Sequence, residues 1–157
     1  MTGVMETHGD GAPTVSVYFY GSYMNRAVLD EVGLSPRTWE VATLAGFDID
    51  IRPRANLVRA QGCSVWGILC SATHAELDIL YSHARDVLGE VYLPYAMLVE
   101  LAAGGYRLAL CYICPRMQAR PADSDYIDRI LAPAREHRFP PDYLDRIERF
   151  RHRGDLS

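Results

Sequence analysis

The apolar run Val17-Tyr18-Phe19-Tyr20 stops at Gly21-Ser22, the pattern of a buried strand that leaves its sheet at a glycine. Residues 26–32 then read as a short helix, with Gly33 at its C′ position. From Trp39 to Ile51 the anchors Val41, Leu44, Phe47, Ile49 and Ile51 partly alternate with polar residues, which predicts a strand. Gly46 suits a bulge or bend within it, and Pro53 breaks it. A second strand piece is expected over residues 55–58 and a strongly apolar strand over 64–72. Gly67 inside the latter predicts the close approach of another backbone, or a barrel bend.

Thr73-His74-Ala75-Glu76 has the form of a capping box, and Leu77, Leu80, Tyr81 and Ala84 continue it as one apolar helical face, so a helix is expected over residues 74–85. Two strands, 92–102 and 106–114, flank Gly104-Gly105 as a hairpin. The remainder reads as helical. Residues 123–132 carry Tyr126, Ile127, Ile130 and Leu131 on one side, and Pro140-Pro141 opens a last helix with Tyr143, Leu144, Ile147 and Phe150 inward. Mainly antiparallel, glycine-marked strands with short helices predict an α+β domain: a small closed or nearly closed β-barrel with helices packed outside. One domain is expected over residues 13–154, preceded by a disordered tail over 1–12 that is rich in Gly, Thr and Asp.

Composition narrows the function classes. A chain of 157 residues with 49% apolar residues can bury one substantial core. Its net charge of −4 argues against a nucleic-acid partner, which needs a basic face. The basic stretch 146–153 fits a solvated helix C-terminus. No apolar run approaches the roughly 20 residues needed to span a bilayer. Residues 1–12 have neither the basic nor the apolar region of a secretory signal, so a cytoplasmic location is the default expectation. All 16 basic residues are arginine, which excludes a lysine Schiff base, pyridoxal phosphate chemistry and a P-loop lysine. Cys111 and Cys114 have CxxC spacing, but positions three apart in a strand face opposite ways, so they and Cys63 and Cys70 are expected as buried, reduced thiols. His8, His74, His83, His137 and His152 have no HExxH spacing, and neither a metal nor a cofactor is expected.

Four segments together resemble the γ-glutamylcyclotransferase-like superfamily, which includes AIG2-like and BtrG-like proteins. Tyr18-Phe19-Tyr20-Gly21-Ser22 is similar to its YGSN loop, and Ser64-Val65-Trp66-Gly67-Ile68-Leu69 to its VWG-type strand. The helix beginning at Thr73 lies where that family places an LDxxEG helix. Pro121 to Tyr126 and Phe139 to Tyr143 resemble its PS..Y and LP..Y helix starts. The resemblance spans residues 14–150. It implies loop amides that hold a γ-glutamyl carboxylate, and a Glu after the central helix that acts as acid and base. The substrate's α-amine attacks its own γ-carbonyl, releasing an amine and leaving the lactam 5-oxoproline.

Two departures fall on that chemistry. Tyr23 stands where the loop has Asn, and the expected Glu falls at Ala84 or Arg85, neither of which can act as a base. Glu90 is the first candidate for a relocated base, its alternative being a solvated loop carboxylate; Asp86 and His83 flank the same helix end. Tyr20, Gly21, Ser22 and Tyr23 are the candidate substrate-binding residues. Tyr18 and Tyr23 either line a pocket or pack in the core. Arg52 and Arg54, around Pro53, either hold an anion bidentately or are solvated loop arginines. The expected function is γ-glutamylcyclotransferase-like intramolecular acyl transfer on a small, carboxylate-bearing γ-glutamyl amide, with altered chemistry or substrate. The alternative is an inactive metabolite-binding module that keeps the loop.

Overall fold

The computed structural model describes residues 12–151 and the backbone pairing of residues 6–7. The expected tail over 1–12 thus falls almost wholly outside the described residues. Glu6–Thr7 (β1) pair with the start of Pro13–Phe19 (β2). The helix Arg26–Glu31 (α1) follows, then the long strands Trp39–Ile51 (β3) and Ala55–Thr73 (β4). After the helix His74–Val87 (α2) come Leu93–Leu101 (β5), Tyr106–Ile113 (β6), and the helices Ser124–Glu136 (α3) and Pro141–Glu148 (α4).

Five strands close a ring in the order β2-β4-β3-β5-β6, and β6 returns to β2 through Val17↔Leu110 and Tyr18↔Cys111. That closing pair is parallel, whereas the other ring pairings are antiparallel. The expected nearly closed α+β barrel is therefore the observed architecture. Closure removes the exposed strand edges that an open sheet of this length would present. Helix α2 packs against β2 and β4, while α3 packs on α4 and on the turn after β2. Among the described residues no helix is long and apolar enough to cross a membrane.

The two strand pieces expected at 55–58 and 64–72 are one continuous strand. Ala45 pairs with Ser64 and Phe47 with Arg59, so residues 60–63 bulge opposite Gly46 alone. The bulge absorbs the break in pattern without ending the pairing, because Gly46 and Gly62 take the positive φ values (87° and 83°) it requires. Gly67 has a different reason. A Cβ there would lie 2.4 Å from the Phe19 carbonyl oxygen and 2.6 Å from the Tyr18 ring. Tyr18 crosses the barrel at that point, its hydroxyl reaching the carbonyls of Val65 at 2.9 Å and Ala42 at 3.1 Å.

The capping box forms as expected: Thr73 Oγ1 accepts from the Glu76 amide and Glu76 Oε1 accepts from the Thr73 amide. Helix α3 runs past the predicted 132 to Glu136, with Pro133 inside it. Proline removes the bond that would satisfy the carbonyl four residues back, that of Arg129. Asn25 Nδ2 donates to this carbonyl at 3.1 Å, while Asn25 Oδ1 caps α1 through the Ala27 amide. One side chain thus makes up for the proline and fixes the turn after β2 against α3.

Candidate functional site

Strand β2 ends at Phe19, and the chain leaves it through Tyr20 and Gly21 into a single helical turn, Ser22–Met24. Gly21 has φ −118°, which any residue adopts, so its glycine answers to space. A Cβ would meet Ala55 Cβ at 2.6 Å. The tip of the β3–β4 hairpin is therefore seated on the loop, and contact of this closeness leaves no room between Gly21 and Ala55 for a ligand.

Around this contact lies a cleft of about 40 Å³ lined by Tyr18, Tyr20, Tyr23, Tyr81, Tyr92, Tyr112 and Tyr126, together with the loop. It has room for water but not for an amino-acid-sized group. Its rings pack on one another: Tyr81 stacks on Tyr112 at 3.7 Å, and Tyr23 meets Tyr81 edge-on at 5.6 Å. The hydroxyls are committed to the backbone. Tyr20 donates to the Tyr112 carbonyl at 2.6 Å, Tyr92 to the Ala55 carbonyl at 2.6 Å, and Tyr23 to the Leu80 carbonyl at 3.3 Å. Tyr126 Oη accepts from the Ala55 amide at 2.8 Å. Burial raises the Tyr126 hydroxyl above the usual phenol range, with the Ala55 amide and Ser22's main chain and hydroxyl pulling the other way. Burial likewise places Tyr20, Tyr81 and Tyr92 well above that range. Burial keeps the lining phenols neutral at neutral pH, and no carboxylate or imidazole lines the cleft.

The chemistry-bearing groups lie beside it. Glu90 is the one acidic side chain in the buried set among the described residues, at 7% exposure. It lines a cavity of about 400 Å³ with Gly89, Val91, Leu93, Cys114, Pro115 and Arg116. Its amide donates to the Ala84 carbonyl at 3.1 Å, which brings the chain inward at the end of α2. Cys114 Sγ donates to Glu90 Oε2 at 3.7 Å, and Arg120 Nη2 stands 3.8 Å from Oε1. Burial above all raises the Cys114 thiol, and the Glu90 charge adds to it, so the thiol stays protonated where it meets the carboxylate. Asn56 fixes Cys114 from both sides: Nδ2 donates to its carbonyl at 2.7 Å and Oδ1 accepts from its amide at 2.9 Å.

A third cleft, about 320 Å³, is lined by Pro53, Arg54, Leu88, Arg120, Pro121, Asp123 and Tyr126. It shares Tyr126 with the tyrosine cleft, and Arg120 links it to Glu90. Three consecutive residues, Arg54 just before β4 and the first two residues of β4, serve the three spaces: Arg54 lines this cleft, Ala55 the tyrosine cleft, and Asn56 holds Cys114 in the Glu90 cavity. Ala55 and Asn56 point to opposite faces, as neighbouring residues of a strand do, while Arg54 lies in the turn before it.

The structure brings Tyr20, Gly21, Ser22 and Tyr23 together on the tyrosine cleft and places Glu90 in the adjoining cavity. Glu90 is not a solvated loop carboxylate. Ala84 is buried, while Arg85 is exposed and paired with the equally exposed Asp86 at 2.9 Å. Arg52 is engaged with Asp50 at 2.7 Å, whereas the Arg54 guanidinium lies 4.9 Å over the Tyr126 ring. Sequence reasoning did not single out Tyr81, Tyr92, Tyr112, Cys114, Asn56 or Arg120 as site residues. They come from separate elements, so no local spacing marks them as one site. The described residues contain no group of three His, Cys, Asp or Glu side chains placed to hold a cation.

This architecture is shared with known proteins. The structure of a γ-glutamyl cyclotransferase superposes with a TM-score of 0.78 over 92% of this chain and 92% of that one, at 18% identity. An uncharacterized protein of Homo sapiens gives 0.77 over 92% and 91%, also at 18% identity. An AIG2-like protein of Mus musculus gives 0.52 over 73% and 82%, at 14% identity. No protein-family model and no curated protein matches the chain. The chain has the γ-glutamyl cyclotransferase-like fold, as the order of its motifs implied.

Proposed function

We propose that the protein is a cytoplasmic enzyme of γ-glutamylcyclotransferase type, acting on a small, carboxylate-bearing γ-glutamyl amide with Glu90 as its general base. The observation that carries this reading is the burial of Glu90 in a cavity large enough for a small molecule, at the end of the helix where the motif pattern puts the base. The substrate's α-amine nitrogen bonds to its own γ-carbonyl carbon and passes a proton to Glu90. The amide C–N bond then breaks, and Glu90 returns that proton to the departing amine. Lactam and amine together contain all the atoms of the substrate, and no co-reactant is needed. Enclosure of the substrate holds the attack geometry and keeps water from competing.

The filled tyrosine cleft supports a second reading, in which the fold binds a carboxylate metabolite without turnover. Incubation with a panel of γ-glutamyl amines, followed by mass spectrometry for 5-oxoproline, separates the two. Product supports the enzyme. Thermal stabilisation by 5-oxoproline or glutarate with no product across the panel supports the binding module instead.

A further inference from the structure

Deepening the reading of Glu90 as base, we propose that the substrate carboxylate is held by Arg54 and Arg120, in place of the amides of the Gly21–Ser22 loop. Three observations converge on this pair. The loop is closed to a ligand, since Gly21 rests on Ala55 and Tyr126 Oη occupies the space beside Ser22. Arg54 and Arg120 face one cleft of about 320 Å³, and the Arg120 amide donates to the Arg52 carbonyl at 3.4 Å, tying the two arginine segments together. Neither guanidinium is neutralised by a close carboxylate. Arg54 has a ring as its partner, and Arg120 has only the 3.8 Å contact with Glu90.

Planar guanidinium forks match a carboxylate bidentately, and stacking on Tyr126 holds one fork in orientation. Arg120 also links binding to chemistry. Its side chain is 64% exposed and makes one long contact with Glu90. When it turns to the substrate carboxylate, it leaves Glu90 Oε1 open to the α-amine. Asp123 is the acidic side chain on the wall of this cleft; it is exposed, so water and salt screen its repulsion. The ligand class is a small carboxylate whose charge sits one short chain away from a reacting amide.

Calorimetric titration with 5-oxoproline, glutarate and the uncharged 2-pyrrolidinone tests the clamp. Both carboxylates are expected to bind the wild-type protein and 2-pyrrolidinone is not. Arg54→Gln and Arg120→Gln should each weaken the carboxylates about tenfold or more, the loss of one charge-assisted contact. Arg54→Lys and Arg120→Lys should recover part of the affinity at an unchanged melting temperature, which separates lost charge from lost fold. In turnover, the Gln variants should raise KM more than they lower kcat. Failure of both carboxylates to bind the wild type, or equal binding by the Gln variants, overturns the clamp. Turnover with unchanged KM in the Gln variants overturns the clamp and leaves the enzyme reading standing. Arginine-dependent glutarate binding without any turnover supports the clamp and overturns the enzyme reading.

Discussion

The Glu90 amide donates to the Ala84 carbonyl at 3.1 Å. The position where the motif pattern expects a catalytic Glu thus supports, through its main chain, the carboxylate that stands nearest in sequence and is buried. Ala84 supplies no side-chain chemistry, but its carbonyl sets where the chain turns inward after α2.

Glu90→Gln keeps the shape and most hydrogen bonding of the side chain while removing its ability to take a proton. Turnover of any γ-glutamyl amine that the wild type accepts should fall by roughly 10²–10⁴-fold, the usual contribution of a positioned general base. The melting temperature should stay close to that of the wild type. Steady-state kinetics on the purified variant checks this, and undiminished kcat would remove Glu90 from the mechanism.

Gly67→Ala should be among the most damaging small substitutions in the chain. The added methyl would meet the Phe19 carbonyl and the Tyr18 ring, both on a strand held on two sides. Neither neighbour is the free end of a flexible side chain, so the cost is about 1–3 kcal/mol or more. Urea denaturation at neutral pH measures it.

Tyr126→Phe leaves the Ala55 amide without its acceptor beneath a closed contact. A buried donor without a partner costs about 1–3 kcal/mol, and denaturant unfolding should show a loss of that order. The same variant keeps the ring under Arg54, so carboxylate binding should change less than in Arg54→Gln. Parallel titrations compare the two.

Stability should fall on the alkaline side. Burial holds Tyr18, Tyr20, Tyr81 and Tyr92 well above the usual phenol range in the folded protein, whereas in the unfolded chain they ionise near their ordinary value, about 10. A group whose folded pKa is raised contributes stability that is complete below its unfolded pKa and is lost as pH rises toward the folded one. Unfolding free energy should therefore be steady from these groups up to about pH 9 and decline above about pH 10. Denaturation across this range, with phenolate absorbance recorded in parallel, should show these tyrosines ionising only as the protein unfolds.

Much of the local structure was legible in one dimension. The capping box at Thr73, the hairpin at Gly104-Gly105 and the strand ending at Gly21 each depend on residues a few positions apart, and all three form. The predictions failed where a distant residue intervened. Residues 55–73 stay one strand because Gly46, on another strand, accepts the bulge. Helix α3 passes Pro133 because Asn25, more than a hundred residues earlier in the chain, satisfies the Arg129 carbonyl.

By itself the sequence determined the class of barrel, the place of the glycine loop and the absence of a Glu at residues 84 and 85, since pattern, spacing and residue type are properties of a line. Only the tertiary structure decided what those features enclose. The loop is filled because Ala55 and Tyr126 come to rest on it, and Glu90 is buried because Ala84, Asn56 and Cys114 bring three separate segments around it. Burial and convergence depend on which distant residues share a volume, and chain closure sets that volume.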